Sequence, residues 1–329
     1  MSWRYGRWSV EHAVPFGASD HLAAGDRVSA GDVVARGGQL GTPVRLAGPP
    51  DELRVSVGAE VRRGTPIARR GGRFGRPLTA PIDGLLVHRE ADGRLWLAPV
   101  LGRWEVRSAI DGVVARSDDA SVVVEGDAWC LEGVAAYGPD AVGALVLAVD
   151  APVDELQPQR IDVRSRGAIL VGGARVAAEA ITRAYACGVA ACVAGAMPAG
   201  GLRAVYGEDV GADGLATRDD RPTVLCLMGF GTAALPDEVF RPFVAFSGKR
   251  AAVHTASARL FVFAPPHDAV AGAAPALVLA DDHGGIRPLT GDAAVLGPQV
   301  FPSEVIADAI LADGAPVPVA NVIAFDVRR

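Results

Sequence analysis

The strongest constraint on this chain is a repeated glycine punctuation. Gly25–Arg36 and Gly58–Arg69 both read G-x-x-V-x-x-G-x-x-[VI]-A-R, with Val28, Gly31, Val34 and Ala35 matched by Val61, Gly64, Ile67 and Ala68. Glycine lacks a Cβ and adopts the positive-φ backbone of a tight turn. Each valine stands between two such turns, where a short strand directs it inward. A second repeat follows: Ala80-Pro81-Ile82-Asp83-Gly84-Leu85-Leu86-Val87 is echoed by Ser108-Ala109-Ile110-Asp111-Gly112-Val113-Val114-Ala115. Asp-Gly ahead of apolar residues marks a turn entering a strand. Duplicated supersecondary units of this kind predict a β-rich domain over 1–130.

These motifs resemble the barrel-sandwich hybrid, the fold of lipoyl and biotinyl carrier domains, over roughly residues 20 to 125. The resemblance implies a compact β module. A carrier domain presents a modifiable lysine at a hairpin tip, and the only lysine of this chain is Lys249. Neither lipoate nor biotin is therefore expected here, and no other cofactor is indicated.

At 329 residues, half of them hydrophobic and 21% charged, the chain can bury a substantial core in more than one domain. The net charge of −6 is uneven: +4 over 1–115, −6 over 116–268 and −4 over 269–329. Only the first segment has a field that attracts acidic partners. Within it Arg62, Arg63, Arg69, Arg70, Arg73 and Arg76 run from Val61 to Ile82 without an acidic residue. They are candidates for an anion or an acidic protein surface, or else form a solvated loop broken by Gly71, Gly72 and Gly75. Phe74 is the only aromatic among them, so no stacking platform for bases is expected.

The period changes in the middle of the chain, where 131–268 is expected to form an α/β domain. Ala168–Val171 reads as a strand running into Gly172 and Gly173. Val176, Ala180, Ile181, Ala184 and Tyr185 then recur at helical spacing, with Arg175, Glu179, Thr182 and Arg183 on the other face and Gly188 closing the helix. Val189–Ala194 supplies the next strand of a β-α-β unit. Thr223–Met228 is another, leading into Gly229 and Gly231 and a helix from Pro236 with Asp237 and Glu238 in its first turn. Glycine turns between strand and helix can cradle phosphate, so Gly172, Gly173, Arg175, Gly229 and Gly231 are candidate crevice residues. The dinucleotide fingerprint G-x-G-x-x-G is absent, which favours plain turn glycines. Ala184–Leu202 is uncharged but broken by four glycines and Pro198, and reads as a helix end, a buried strand and a loop, with no membrane insertion.

Over 269–329 four runs read as strands: Ala276–Ala280, Ala293–Leu296, Val305–Leu311 and Val317–Val322. The ending Leu311-Ala-Asp313-Gly314 followed by Pro318, Asn321 and Val322 is similar to the last strands of KOW or other SH3-like barrels. Many such barrels bind RNA, but a charge of −4 opposes phosphate, so a nucleic-acid partner is not expected. The overall expectation is a multi-domain β-rich plus α/β protein.

Chemical motifs are sparse. Cys130, Cys187, Cys192 and Cys226 show no C-x-x-C pairing and read as buried residues of a reducing compartment; with an N-terminus lacking an apolar run, this predicts cytoplasmic residence. The six histidines stand in no H-E-x-x-H or G-x-S-x-G context. Asp281-Asp282-His283 reads as a turn, and Glu208, Asp209, Asp213, Asp219 and Asp220 as an exposed loop. No catalytic or metal set is assigned. The leading expectation is a non-enzymatic adaptor or assembly factor with a protein partner. The alternatives are a small-molecule or nucleotide-binding enzyme using the α/β crevice, and an RNA- or ribosome-associated protein.

Overall fold

The computed structural model describes residues 2–46, 50, 52–71, 75–207 and 221–266, together with the backbone of six strands further along the chain. The protein is β-rich, with several sheets and three α-helices among the described residues. It divides into two compact units, one of residues 9–108 and 112–125, the other of residues 1–8, 109–111 and 126–329.

The first unit is built from short strands: part of β1 (Arg4–Ala13), then β2 (Ala18–His21), β3 (Arg27–Val28), β4 (Val33–Leu40), β5 (Val44–Arg45), β6 (Glu52–Leu53), β7 (Glu60–Val61), β8 (Pro66–Arg70), β9 (Arg76–Thr79), β10 (Gly84–Arg89), β11 (Leu95–Ala98), β12 (Val100–Arg107) and β13 (Gly112–Ser117). The sequence repeat is a repeat of hydrogen bonds. Gly25 N–H donates to Val114 O and Gly58 N–H to Leu86 O, both at 2.8 Å. Gly31 N–H donates to Ser108 O and Gly64 N–H to Ala80 O, again at 2.8 Å. All four glycines have φ between 85° and 96°. Val28 pairs with Gly112 as Val61 pairs with Gly84, and both valines are buried.

The copies are nested. Each copy takes one short strand from just upstream, β2 for the outer and β6 for the inner; the remaining partners of Gly58–Arg69 lie immediately downstream, whereas those of Gly25–Arg36 come only after the whole inner copy. The inner copy closes on its own core of Leu46, Val61, Ile67, Ala68, Ala80, Leu86, Leu95 and Leu97. Aspartate carboxylates brace the turns. In the outer one, Asp26 and Asp32 carboxylates accept from Ala23 and Ser29 N–H at 2.8 Å; in the inner one, Asp83 accepts from Arg63 N–H at 2.6 Å.

The second unit takes up β14 (Ser121–Glu132) from Gly126 onward and continues with β15 (Ala135–Tyr137), β16 (Ala141–Leu147), β17 (Glu155–Leu156), β18 (Ile169–Val171), β19 (Arg175–Val176), α1 (Ala178–Cys187), β20 (Ala191–Met197), α2 (Ala199–Tyr206), β21 (Thr223–Phe230), α3 (Asp237–Ala245), β22 (Arg250–His254) and β23 (Arg259–Val262). β16, β18, β20 and β21 are parallel neighbours; β15 flanks them antiparallel beyond β21, and β22 and β23 beyond β16. Every residue of β20 and β21 is buried, as expected of parallel strands covered on both faces. Trp3 packs edge-on against Phe243 and Phe246, with ring centroids 5.1 and 5.0 Å away, and its Nε1–H donates to Val239 O, tying the N-terminus to α3.

Several expectations shift by a few residues, each for a backbone reason. Arg175 and Val176 lie in β19, paired with Glu155 and Leu156, and α1 starts after them. Its buried face is Ala180, Ile181, Ala184 and Cys187; Tyr185 lies one residue past Ala184, about 100° around the helix, and is exposed. Gly188 closes α1 in the left-handed conformation, as its sequence position predicts. Gly229 is a strand residue rather than a turn residue, because β21 stays paired with β20 through Ala196 and Gly229. The residues after Pro198 form α2, where a loop was expected: burial of Leu202 and Tyr206 on one face outweighs the poor propensity of Gly200 and Gly201.

Further along, β24 (Leu277–Ala280), β25 (Ile286–Pro288), β26 (Ala294–Val300), β27 (Ile306–Ala312), β28 (Ala315–Pro318) and β29 (Val322–Ala324) form two three-stranded sheets, and β27 and β28 pair across residues 313–314. The acidic stretch 208–220 and Asp281–Gly285 lie outside the described residues. No described helix is long and apolar enough to cross a membrane.

Two outcomes are expected. An added Cβ at Gly58 meets nothing within 4 Å, so Gly58→Ala isolates the cost of φ +94° and should lower stability by about 1–2 kcal/mol in urea unfolding. All four cysteines are buried and free, and burial pushes the thiols of Cys130, Cys192 and Cys226 up to about 12. At pH 8 those three are thiolate in only about one part in 10⁴. Thiol titration should therefore proceed slowly on the native protein and reach four equivalents only in denaturant.

Candidate functional site

The carboxyl edge of the parallel strands is where the two glycine turns meet. β18 leads into Gly172, Gly173 and Ala174; β21 leads into Gly231, Thr232 and Ala233. Gly173, at φ +63°, brings its Cα within reach of the turn that follows β16. A Cβ there would stand 2.4 Å from Asp154 O, and a Cβ on Gly195 would stand 1.9 Å from Ala233 O. With no side chains in the way, the backbones bond directly. Ala174 N–H donates to Asp154 O at 2.8 Å, Gly195 N–H to Gly173 O at 2.8 Å, Ala233 N–H to Ala174 O at 3.2 Å and Gly231 N–H to Met197 O at 3.0 Å. Gly172 is a packing glycine, its Cβ direction filled by Val176 and Leu156.

Arg175 stands at this junction. Its guanidinium donates to Thr232 Oγ1 at 3.3 Å, and its Nε lies 3.6 Å from Glu155 Oε1. The two charged side chains are 36% and 39% exposed, so both reach solvent while held at the strand ends. Beside them β20 runs into α2, whose cap position is Pro198, without a side-chain hydrogen bond to the first turn, and whose first turn carries no acid. Free N–H groups and the positive end of the helix dipole thus face the same edge. Among the residues expected to form a crevice, Gly172, Gly173, Arg175 and Gly231 are brought together, and Gly229 lies inside β21.

The arginines of the β-rich unit are distributed differently. Arg62 and Arg63 occupy the turn before β8, while Arg70 and Arg76 face one another across the β8–β9 pair at its far end, with Arg69 opposite Pro77. Three residues of β8, Pro66, Ile67 and Ala68, roughly 10 Å of strand, lie between the two groups. Arg73 lies outside the described residues.

A third cluster had no counterpart in the sequence reading. His254, at the end of β22, is buried, and its Nδ1 lies 2.7 Å from Ser257 Oγ. Asp140 precedes β16; its Oδ1 accepts from Thr255 N–H at 2.8 Å, and its Oδ2 lies 3.9 Å from His254 Nε2. The residues are far apart in sequence, and only the antiparallel pairing of Ala141 with Val253 brings them side by side. The one sequence signal that could have pointed here is the turn Gly138-Pro139-Asp140, which carries no ligand motif.

No protein-family model, curated protein or solved structure matches this chain.

The carboxyl-edge geometry makes opposite predictions for two neighbouring glycines. Gly195→Ala forces a methyl into a carbonyl and should cost about 1–3 kcal/mol or more. Gly200→Ala, which meets nothing within 4 Å in α2, should raise stability by up to about 1 kcal/mol. Urea unfolding of the two variants beside the parent measures both.

Proposed function

We propose that the α/β unit binds a small molecule bearing a carboxylate or phosphate at the carboxyl edge of its parallel strands. The observation that carries this reading is the Arg175–Thr232 hydrogen bond, which joins the turns after β18 and β21 beside the start of α2. An arginine and an uncapped helix start turned to the same place favour an anion by charge and by N–H donors. Carboxyl ends of parallel strands are where α/β sheets recurrently take ligands. Glu155 Oε1 lies 3.6 Å from the buried Nε of Arg175, and its own carboxylate, which reaches solvent, can take a positive group of the same ligand.

A thermal-shift screen against phosphorylated and carboxylated metabolites tests this. Ligand at a hundredfold over its Kd should stabilise the parent by about 2.7 kcal/mol, and Arg175→Gln, at a half-buried position, should keep the fold and lose that shift. A matching ligand whose effect survives Arg175→Gln, or a screen without any hit, rejects the reading.

The second reading is a protein-binding adaptor. Its support is in the β-rich unit, where the edge strands β12 and β5 carry the exposed apolar residues Leu101 and Val44. An exposed edge accepts an added strand from a partner. On this reading the unit is of barrel-sandwich type, supported by the matched hydrogen bonds of its two glycine copies, and β24–β29 form an SH3-like barrel. Recovery of one defined partner, lost on Leu101→Lys, is the result expected of an adaptor.

A further inference from the structure

We infer that the outer edge of β12 pairs with the same edge of a second copy of this chain, antiparallel and two-fold about Trp104. Arg175 lies in the other unit, so ligand binding there and strand pairing here are tested separately.

The edge is open. β12 ends the three-stranded sheet β12-β4-β2, and among the described residues no strand and no backbone group bonds to its outer side. What that side presents follows from β4. Gly38 N–H donates to Gly17 O at 3.0 Å, Leu22 N–H to Val34 O at 2.9 Å and the Ser19 hydroxyl to Arg36 O at 3.2 Å, so Val34, Arg36 and Gly38 direct their polar backbone away from β12. Backbone groups alternate sides along a strand, and Arg103 and Glu105 stand opposite Gly38 and Arg36 as non-hydrogen-bonded pairs. Their N–H and C=O groups point outward, where an added strand finds a template. Trp104 does not cover them: its ring lies over Gly37 and its Nε1–H donates to Gly38 O at 3.1 Å, so it leans inward onto the sheet.

The strand is complementary to itself. Register shifts at Val100/Gly102 and at Val106/Arg107 bound a regular stretch from Gly102 to Val106, with Trp104 at its centre. A two-fold axis perpendicular to the sheet at Trp104 sets Arg103 opposite Glu105 of the second copy, and Glu105 opposite Arg103 of that copy. Each such pair exchanges two backbone hydrogen bonds. The side chains match as well. Leu101, Arg103, Glu105 and Arg107 share the exposed face; Arg107 already pairs with Glu105, and Arg103 Nη2 lies 3.4 Å from Glu60 Oε1. Strand pairing joins these into two rows of alternating charge, Arg107 and Glu105 of one copy continued by Arg103 and Glu60 of the other. An axis at Arg103 or at Glu105 would set like charges opposite each other, which a sheet disfavours. The charges thus select one register, where a run of a single sign would close the edge to a second copy.

Sedimentation velocity on the full chain across a dilution series tests this. The parent should form a dimer that dissociates on dilution and more readily at high salt. Hydrogen exchange of residues 100–107 needs no variant: protection of the outward N–H groups should rise with protein concentration. Glu105→Arg and Arg103→Glu should each weaken the dimer by about tenfold or more, with unchanged far-UV circular dichroism because the ion pairs they break are exposed and contribute little to the fold. Combining the two reversals places opposite charges across the axis again and should recover the dimer. A parent that is monomeric at every concentration overturns the inference and leaves the edge to a partner of other sequence. A dimer indifferent to both single reversals, or a double variant no more associated than the singles, puts self-association elsewhere and overturns it equally.

Discussion

Both units depend on backbone meeting backbone with no side chain between them. In the β-rich unit this takes the form of turns: Gly25, Gly31, Gly58 and Gly64 reverse the chain at positive φ and turn their N–H groups onto carbonyls of a distant strand. In the α/β unit it takes the form of close approach, where Gly173 and Gly195 let three connections bond to each other at the strand ends. A methyl group at the latter positions would occupy space already filled by carbonyl oxygens. The cost of so many glycines in the unfolded chain is offset by backbone hydrogen bonds that no larger residue would permit.

That same closeness places polar side chains at the two ends of the parallel sheet. At the carboxyl edge the joined turns hold Arg175, steadied by Thr232 and Glu155. At the other end, the pairing of β16 with β22 brings Asp140 beside His254, and two short hydrogen-bonded turns aim them. Neither group of polar side chains is adjacent in sequence. Each is assembled by strand order and then oriented by local hydrogen bonds, which is how a sheet with an apolar interior can carry polar groups on its rims.

The turn chemistry was legible in the residues themselves. Positive φ at the repeated glycines, the inward valines, the closure of α1 by Gly188 and the start of α3 after Pro236 all follow from steric rules acting over a few residues. Legibility failed where distant pairing competes with local preference. Gly229 looks like a turn residue and is a strand residue because Ala196 lies beside it; Gly200 and Gly201 look like a loop and sit in a helix because Leu202 and Tyr206 have a core to cover. The six arginines read as one patch, yet a strand divides those described into two groups, since adjacency in sequence is not adjacency on an extended backbone. His254 and Asp140 could not be read as a pair, because nothing local links them.

The sequence by itself determined where the chain turns, which residues face inward and that the first hundred residues carry a duplicated β unit, because those properties depend on φ and on alternation within a few positions. Only the tertiary structure decided that the copies are nested, that the turns after β18 and β21 share one edge and that a histidine and an aspartate on separate strands meet. Those facts follow from which strand lies beside which, and strand order is chosen by burial summed over the whole sheet rather than by any single segment.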